Sequence, residues 1–401
     1  MAMVYDVCIV GAGMWGSTAA RYVSGHKGLT VCLVGPDEPS SQEFPTREIF
    51  GAHYDAGRIY TKFHDAGHVG RIRSVLSERA IARFPELEKQ SGMQFYKEVG
   101  FIQFGDCIDE FDSIPEGGVQ HSASAIQQLY PYIDISADSL NGILAQTNAG
   151  YLIARDYVKA QTLVARRQGC DVITDVVNRV TNGLTGDDHV LVETEGGKKL
   201  RAKRVLLCTG AFTHFKDLLP EGCKLDAMVT TDIAVRFEID DDCAERLRDM
   251  PSVTSDFQEP SPRECYILPP IKYPDGKIYV KIGHGGYLEE TLSSLEEVRR
   301  WYTEPADMEV VDKLKTLFHS IIKGVKPLSE IYYTCADLDT ATHLPYCGMV
   351  SSSVGVLVGG NSYGAMMAEE MGRIGADMIT GRGEWDCDVL KDDMRVRYVS
   401  T

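Results

Sequence analysis

The chain has 401 residues, 44% hydrophobic and 25% charged, so it can bury a sizeable core and falls outside the disordered and membrane-spanning classes. Lys and Arg number 41 against 58 Asp and Glu, and the resulting net charge of -17 argues against a surface that tracks nucleic-acid phosphates. Eleven scattered cysteines without CxxC or metal-like Cys/His spacing suggest reduced thiols and no metal, and no apolar run reaches the ~18 residues of a membrane span, so a cytoplasmic protein is expected.

In chain order, Tyr5 to Val10 predicts a short buried strand, Gly11 to Gly16 a turn, Ser17 to Ser24 a helix and Leu29 to Val34 a second strand. Gly35 to Lys62, rich in Pro, Ser, Gly and charge, predicts a long loop. The spacing of Ile72, Val75, Leu76, Ile81, Phe84 and Leu87 predicts a helix over 69–91 with a break at Pro85. Short strands are expected near Gln94 to Tyr96 and Gly100 to Phe104, then a helix from Tyr157 to Gln168, a strand from Asp171 to Thr174, a hairpin at Gly196-Gly197 and an apolar strand from Val205 to Cys208. From 227 onward the pattern turns antiparallel, with strands Val229 to Glu238, Glu264 to Leu268 and Lys277 to Ile282 and a turn at Pro274-Asp275-Gly276. Helices at Ser294 to Trp301 and Asp307 to Ile322 precede a strand at Val354 to Val358, a glycine-rich turn at Gly359 to Gly364 and a helix from Ala365 to Ile379. The expected fold class is α/β plus α+β. A discontinuous Rossmann-type domain (1–80, 150–220 and 325–390) is interleaved with an antiparallel-sheet substrate domain (81–149 and 221–324).

Gly11-Ala12-Gly13-Met14-Trp15-Gly16 is a GxGxxG at a strand-to-helix turn. Gly11 permits the tight turn, Gly13 lets backbone approach a pyrophosphate, Gly16 allows close helix packing, and the helix N-terminus supplies N–H donors. An unliganded glycine turn is the alternative. The acidic residue expected at the end of the second strand is replaced by Gly35, which leaves Asp37 or Glu38 as ribose contacts or as solvated loop carboxylates. FAD and NAD both use such a turn, and the turn alone does not choose between them.

Four further runs carry a resemblance: Gly51-Ala52-His53-Tyr54-Asp55-Ala56-Gly57-Arg58-Ile59, Gly100 to Gly105, Val205 to Phe212 and Tyr279 to His284. Together with the closing Gly359-Gly360-Asn361-Ser362-Tyr363-Gly364, in order along nearly the whole chain, they resemble the monomeric sarcosine oxidase family of FAD-dependent amine oxidases, in the larger group that includes D-amino acid oxidase. The resemblance implies FAD held by Gly11, Gly13, Met14, Trp15, Gly16, Thr209 and Gly210 and by the turn Gly360, Asn361, Ser362, Tyr363 and Gly364, with Asp37 the candidate ribose contact from the loop. It implies Arg58 against the flavin and Lys281 near flavin N5, where a cation assists reduction of dioxygen. Strand parity puts Lys277, Tyr279 and Lys281 on one face, which an exposed edge hairpin would also show. The turn's donors and a helix N-terminus are expected to face the negative end of a reduced flavin.

Tyr266 aligns with a pocket tyrosine and His284 lies just past Lys281; catalysis or ordinary packing is open for both. The family's two carboxylate-binding cations are absent, with Thr61 and Met366 in their places, so Tyr60, Lys62, Tyr266 and Tyr363 are the candidate substrate contacts. The family's flavin-tethering cysteine corresponds to Ile331 or Tyr333, with Cys335 out of register, so non-covalent FAD is expected. The implied activity is oxidation of a secondary amine or amino acid other than simple sarcosine to an imine, with dioxygen reduced to hydrogen peroxide. A flavin dehydrogenase or hydroxy-acid oxidoreductase with another acceptor, or a silent flavoprotein, is the alternative.

Overall fold

The computed structural model describes residues 3–64, 67–105, 114, 116–136, 141–181, 189–256, 264–285, 289–383, 389 and 391–399. The apolar strand Val4–Val10 lies at the centre of an eight-stranded sheet, parallel to Val31–Gly35 on one side and Lys199–Leu207 on the other. Asp171–Thr174 and Val354–Val358 extend the parallel part, while the Val190–Thr194 hairpin closes one flank. Val31–Gly35 and Val354–Val358 are buried throughout and Val4–Val10 along most of its length, because both faces of this sheet are covered there, whereas Asp171–Thr174 and Lys199–Leu207 have exposed polar positions. Helices Met14–Ser24, Ala154–Arg167 and Ala368–Thr380 pack beside them. Gly372 lets the last helix close on the first: a Cβ there would stand 2.4 Å from the Thr18 side chain.

A nine-stranded, mainly antiparallel sheet holds the second core. Its spine is Ala227–Ile239, paired with Ile278–His284 and along its length with Ser329–Thr340. Helix Met308–Ile321 covers it through Val310, Leu314 and Phe318, the last stacked on Phe237 with ring centroids 4.1 Å apart. A third sheet pairs Gly150–Ile153 with Gly57–Tyr60 and Tyr96–Glu98.

The loop expected over 35–62 contains two short 3-10 turns, Phe44–Thr46 and Ala52–Tyr54, and the strand Gly57–Tyr60, whose pairing partner is far away in sequence. The helix expected over 69–91 is two, Gly67–Ile81 and Phe84–Ser91; Pro85 sits in the first turn of the second, where a missing N–H costs nothing. Ser329–Thr340 joins the antiparallel sheet although it lies in a segment expected with the Rossmann part. Ile278–His284 is no edge hairpin: it runs between Ala227–Ile239 and Cys265–Lys272. Among the described residues, nine cysteines are free thiols, no group of side chains could hold a metal ion, and no helix is long and apolar enough to cross a membrane. Cys107 and Cys387 lie outside the described residues.

Candidate active site

The three glycines of the first turn have distinct geometric reasons. Gly11 has φ +105°, and a Cβ there would stand 2.2 Å from the Cys208 carbonyl oxygen. A Cβ at Gly16 would stand 1.8 Å from the Gly11 carbonyl oxygen, so the helix can approach the strand only without one. Gly13 is different, because its Cβ would meet nothing nearer than His53 Nδ1 at 4.0 Å. Helix Met14–Ser24 begins at this turn with Gly13 as N-cap, no side-chain acceptor and no acidic residue in its first turn. Its first amides therefore keep their donors for an anion. Gly35 also has a packing reason, since a Cβ would come within 2.5 Å of Ala12 N and leave no room for the acidic residue expected there.

A cavity of about 670 Å³ opens from this turn. Its wall continues through Thr209 and Gly210 and the Gly359 to Gly364 turn to Asp232, Thr254, Tyr266 and His284 of the antiparallel sheet. The two glycine turns are tied together: Trp15 Nε1 donates to the Gly364 carbonyl at 2.7 Å. Met14, Arg58 and Tyr363 also line the cavity.

Several expected contacts are elsewhere. Asp37 is exposed and does not line the cavity, and Glu38 is held by Arg155 at 2.6 Å. Tyr60 is fully buried outside the cavity, donating to the Ser77 carbonyl at 2.6 Å and packing edge-on against Phe84 and Tyr96. Lys62 turns to Glu78 at 3.4 Å. Neither lines the cavity: strand Gly57–Tyr60 ends here, and both side chains reach helix Gly67–Ile81. Ile331 and Tyr333 do not line the cavity, whereas Cys335 does; burial pushes its thiol up to about 12.

The second glycine turn needs correction too. Asn361 and Ser362 adopt positive φ of 48° and 61°, a conformation costly for side chains other than glycine. Asn361 fixes it from within, its Oδ1 accepting from Thr340 N at 2.8 Å and its Nδ2 donating to the Gly359 carbonyl at 2.7 Å. The Ser362 N–H is taken by Asp337. The following helix starts only at Ala368, and buried Glu369 and Glu370 occupy its first turn, Glu369 paired with Arg21. That N-terminus has no side-chain cap.

Lys281 is 1% exposed. Its Nζ lies 2.5 Å from Asp55 Oδ2 and 2.9 Å from the Gly57 carbonyl, and 5.0 Å from the Tyr266 ring centre. It stands behind the cavity wall, not on it. Arg58, which is on the wall, donates to the same Asp55 oxygen at 2.5 Å, and Tyr273 donates to the other at 2.9 Å. Burial works to raise the Asp55 pKa, but Lys281 and Arg58 overcome it and hold the carboxyl far below the usual range. Two cations sharing one carboxylate leave a formal positive charge at this wall. Asp55 lies inside a quoted motif, yet nothing local marked it as the bridge.

His284 lines the cavity but its ring is fully committed. Nε2 accepts from Ile233 N–H at 2.9 Å, so Nδ1 carries the proton and faces the Gly285 carbonyl at 2.6 Å. The first of these contacts links Ile278–His284 to Ala227–Ile239. His53 and His64, not singled out from sequence, also line the cavity, and burial, aided by nearby arginines, lowers each to about 3. Thr61 and Met366 do face the cavity, and neither is charged. Arg73, whose guanidinium lies 3.9 Å over the Tyr363 ring, is a lining cation that no sequence signal indicated.

Residues 6–378 match the family described as FAD dependent oxidoreductase. Among curated proteins, the chain is 25% identical to monomeric sarcosine oxidase of Arthrobacter sp. (strain TE1826) over 219 residues, 52% of each chain. It is 24% identical to N-methyl-L-tryptophan oxidase of Yersinia pestis (strain Pestoides F) over 227 residues, 54% of this chain and 56% of that one. The chain thus spans about half the length of the curated relatives it matches. In fold it is similar to NikD, an unusual amino acid oxidase essential for nikkomycin biosynthesis, with TM-score 0.76, 18% identity and coverage of 100% and 99%. Glycine oxidase from Geobacillus kaustophilus gives TM-score 0.73 and 16% identity with both chains fully covered.

Proposed function

The chain belongs to the FAD-dependent oxidoreductase family, and on that premise we propose that it oxidises the carbon–nitrogen bond of a secondary amine or amino acid other than simple sarcosine, with dioxygen as electron acceptor. The observation that carries this is the Lys281–Asp55–Arg58 group, with Arg58 on the wall and Lys281 and Asp55 behind it, at a cavity that begins at an open glycine turn. The relatives named above, a sarcosine oxidase and an N-methyl-L-tryptophan oxidase, support the amine class.

The residues fit FAD: the open Gly13 cradle and the free first amides of helix Met14–Ser24 suit a pyrophosphate, and the wall past Thr209, Gly210 and Tyr363 leads toward Arg58. When bound, FAD supplies the two-electron acceptor that no side chain here provides. Non-covalent binding is favoured, because the buried Cys335 thiol holds its proton. In this scheme the Rossmann part (1–80, 150–220 and 325–390, less the strand Ser329–Thr340) holds the cofactor, and the antiparallel part (81–149 and 221–324, with Ser329–Thr340) covers the substrate.

The protein's own contribution is orientation and electrostatics. Tyr266 and Tyr363 flank the substrate and exclude water. His284, locked in one tautomer, is not the base, so the amine is oxidised from its neutral form. Lys281 stabilises the superoxide formed when dioxygen takes its first electron, a role a cation fills best in a dry site. Thr61 and Met366 cannot pair with a carboxylate, which disfavours sarcosine. Oxygen uptake by the FAD-loaded protein with a secondary amine, matched by equimolar hydrogen peroxide, tests the oxidase assignment; turnover only with an artificial acceptor overturns it.

A further inference from the structure

Three cations surround one carboxylate at the cavity wall. Asp55 holds Lys281 and Arg58 on one oxygen and the Tyr273 hydroxyl on the other. Arg236 is the third cation: it stands directly opposite Lys281 in the pairing of Ala227–Ile239 with Ile278–His284, and it helps to hold the Asp55 carboxyl low. Like charges opposite one another on neighbouring strands repel. The Arg236 guanidinium lies 4.9 Å over the Tyr273 ring, and its buried Nε has no hydrogen-bond partner among the described residues. From the other elements packed against it, Lys281 meets the Gly57 carbonyl, the Tyr266 ring and, on the next strand, Leu268. Asp232 is a second carboxylate whose charge it feels, and that group lies 3.7 Å from His284 Nε2. Burial and the neighbouring guanidiniums favour the neutral amine at Lys281, and Asp55 is the main group that opposes them.

We propose that Asp55 is a positioning residue for the oxidative half-reaction: it acts through Lys281, keeping that ammonium charged and fixed behind the cavity wall. This rests on the oxidase reading above and adds to it the group on which Lys281 depends. A neutral amine carries no field to stabilise the superoxide formed at the first electron transfer, so the lysine serves only while it keeps its proton. Even with Asp232 counted, three cations outnumber two carboxylates, so Asp55 can hold Lys281 in place without cancelling the positive field of the wall. Charge and shape are separable here. Asp55→Asn keeps a side-chain oxygen to accept from Lys281 or Arg58 and removes only the negative charge.

The test compares wild type with Asp55→Asn. Should that variant not fold, Asp55→Asn/Arg236→Gln against Arg236→Gln takes its place, the second change removing the cation opposite Lys281. The FAD-loaded proteins are titrated to full reduction with dithionite, so that no substrate is needed, and mixed with oxygenated buffer from about pH 6 to about pH 10. The pH at which reoxidation falls off should move down by about one to three pH units in the variant. A second measurement needs no flavin and follows apoprotein melting. In the variant, folded Lys281 releases its proton well below the pH of ~10.4 at which the unfolded chain does, so stability rises with pH across that window. The melting gap to wild type should therefore narrow between about pH 7 and about pH 10. A fall-off unmoved in the variant, or slowing equal at every pH with a constant melting gap, overturns the proposal. Wild-type reduced flavin that does not react with dioxygen sinks the oxidase assignment. The melting gap alone then decides the inference: narrowing upholds it, and constancy overturns it.

Discussion

Lys281 Nζ and Asp55 Oδ2 are 2.5 Å apart, and each side chain is 1% exposed. Because Arg58 and Tyr273 also donate to Asp55, the carboxylate has three partners while Lys281 has one anionic partner. Removing the acid and removing the base therefore have unequal consequences.

Asp55→Asn leaves buried Lys281 and partly buried Arg58 without their shared anion and should cost on the order of 3–5 kcal/mol. Lys281→Met leaves Asp55 still paired with Arg58 and should cost under half that in denaturant unfolding. The milder variant is thus fit for kinetics. Stopped-flow mixing should show reoxidation by dioxygen slowed about 10² to 10³-fold, with reduction by substrate far less affected. Equal slowing of both halves would mean that Lys281 only holds Asp55 and Arg58 in place.

The glycine turn separates folding from cofactor binding. Gly16→Ala puts a methyl 1.8 Å from a backbone oxygen, so the variant should be strongly destabilised. Gly13→Ala meets only His53 Nδ1 at 4.0 Å, with φ -75° open to any residue. It should melt like the wild-type apoprotein yet bind FAD more weakly by about tenfold or more. Unaltered FAD affinity in a folded Gly13→Ala protein would place the pyrophosphate elsewhere.

Acid precipitation of the yellow protein should leave the flavin in the supernatant, and Cys335→Ala should change nothing in that partition. Colour in the wild-type pellet that is lost in Cys335→Ala would show a tether at this cysteine.

Much of this was legible in the sequence, and the omissions share a cause. The strands at Val4–Val10 and Val354–Val358 are mainly apolar runs that identify themselves. Gly57–Tyr60 does so only through its partner Gly150–Ile153, and Ser329–Thr340 was overlooked because Asp337 and Asp339 face a cavity within the protein. Parity could not tell a buried Lys281 from an exposed one, since whether a strand is central depends on distant partners. Arg73, Asp232 and Glu289 lie on separate elements, and only the topology brings them to one wall.

Burial, then the neighbouring carboxylates, push Glu289 up to about 8. The folded state thus keeps a proton that the unfolded chain releases near pH ~4.3, and stability falls as pH rises across that window. Glu289→Gln has no such titration. The two proteins should melt alike near pH ~5, and the variant should melt higher, by on the order of 2–4 °C, near pH ~9. A constant difference between them across pH would show that Glu289 is not strained by its neighbours.

The oxidase assignment is tested most directly by mixing the FAD-loaded protein, without oxygen, with sarcosine, larger N-methyl amino acids and larger N-methyl amines. The oxidised flavin should bleach with a larger amine, sarcosine should stay well below about 10⁴ M⁻¹s⁻¹, and admitting air should restore the colour with release of hydrogen peroxide. A flavin that stays oxidised with every amine and amino acid, while a hydroxy acid bleaches it, would contradict it.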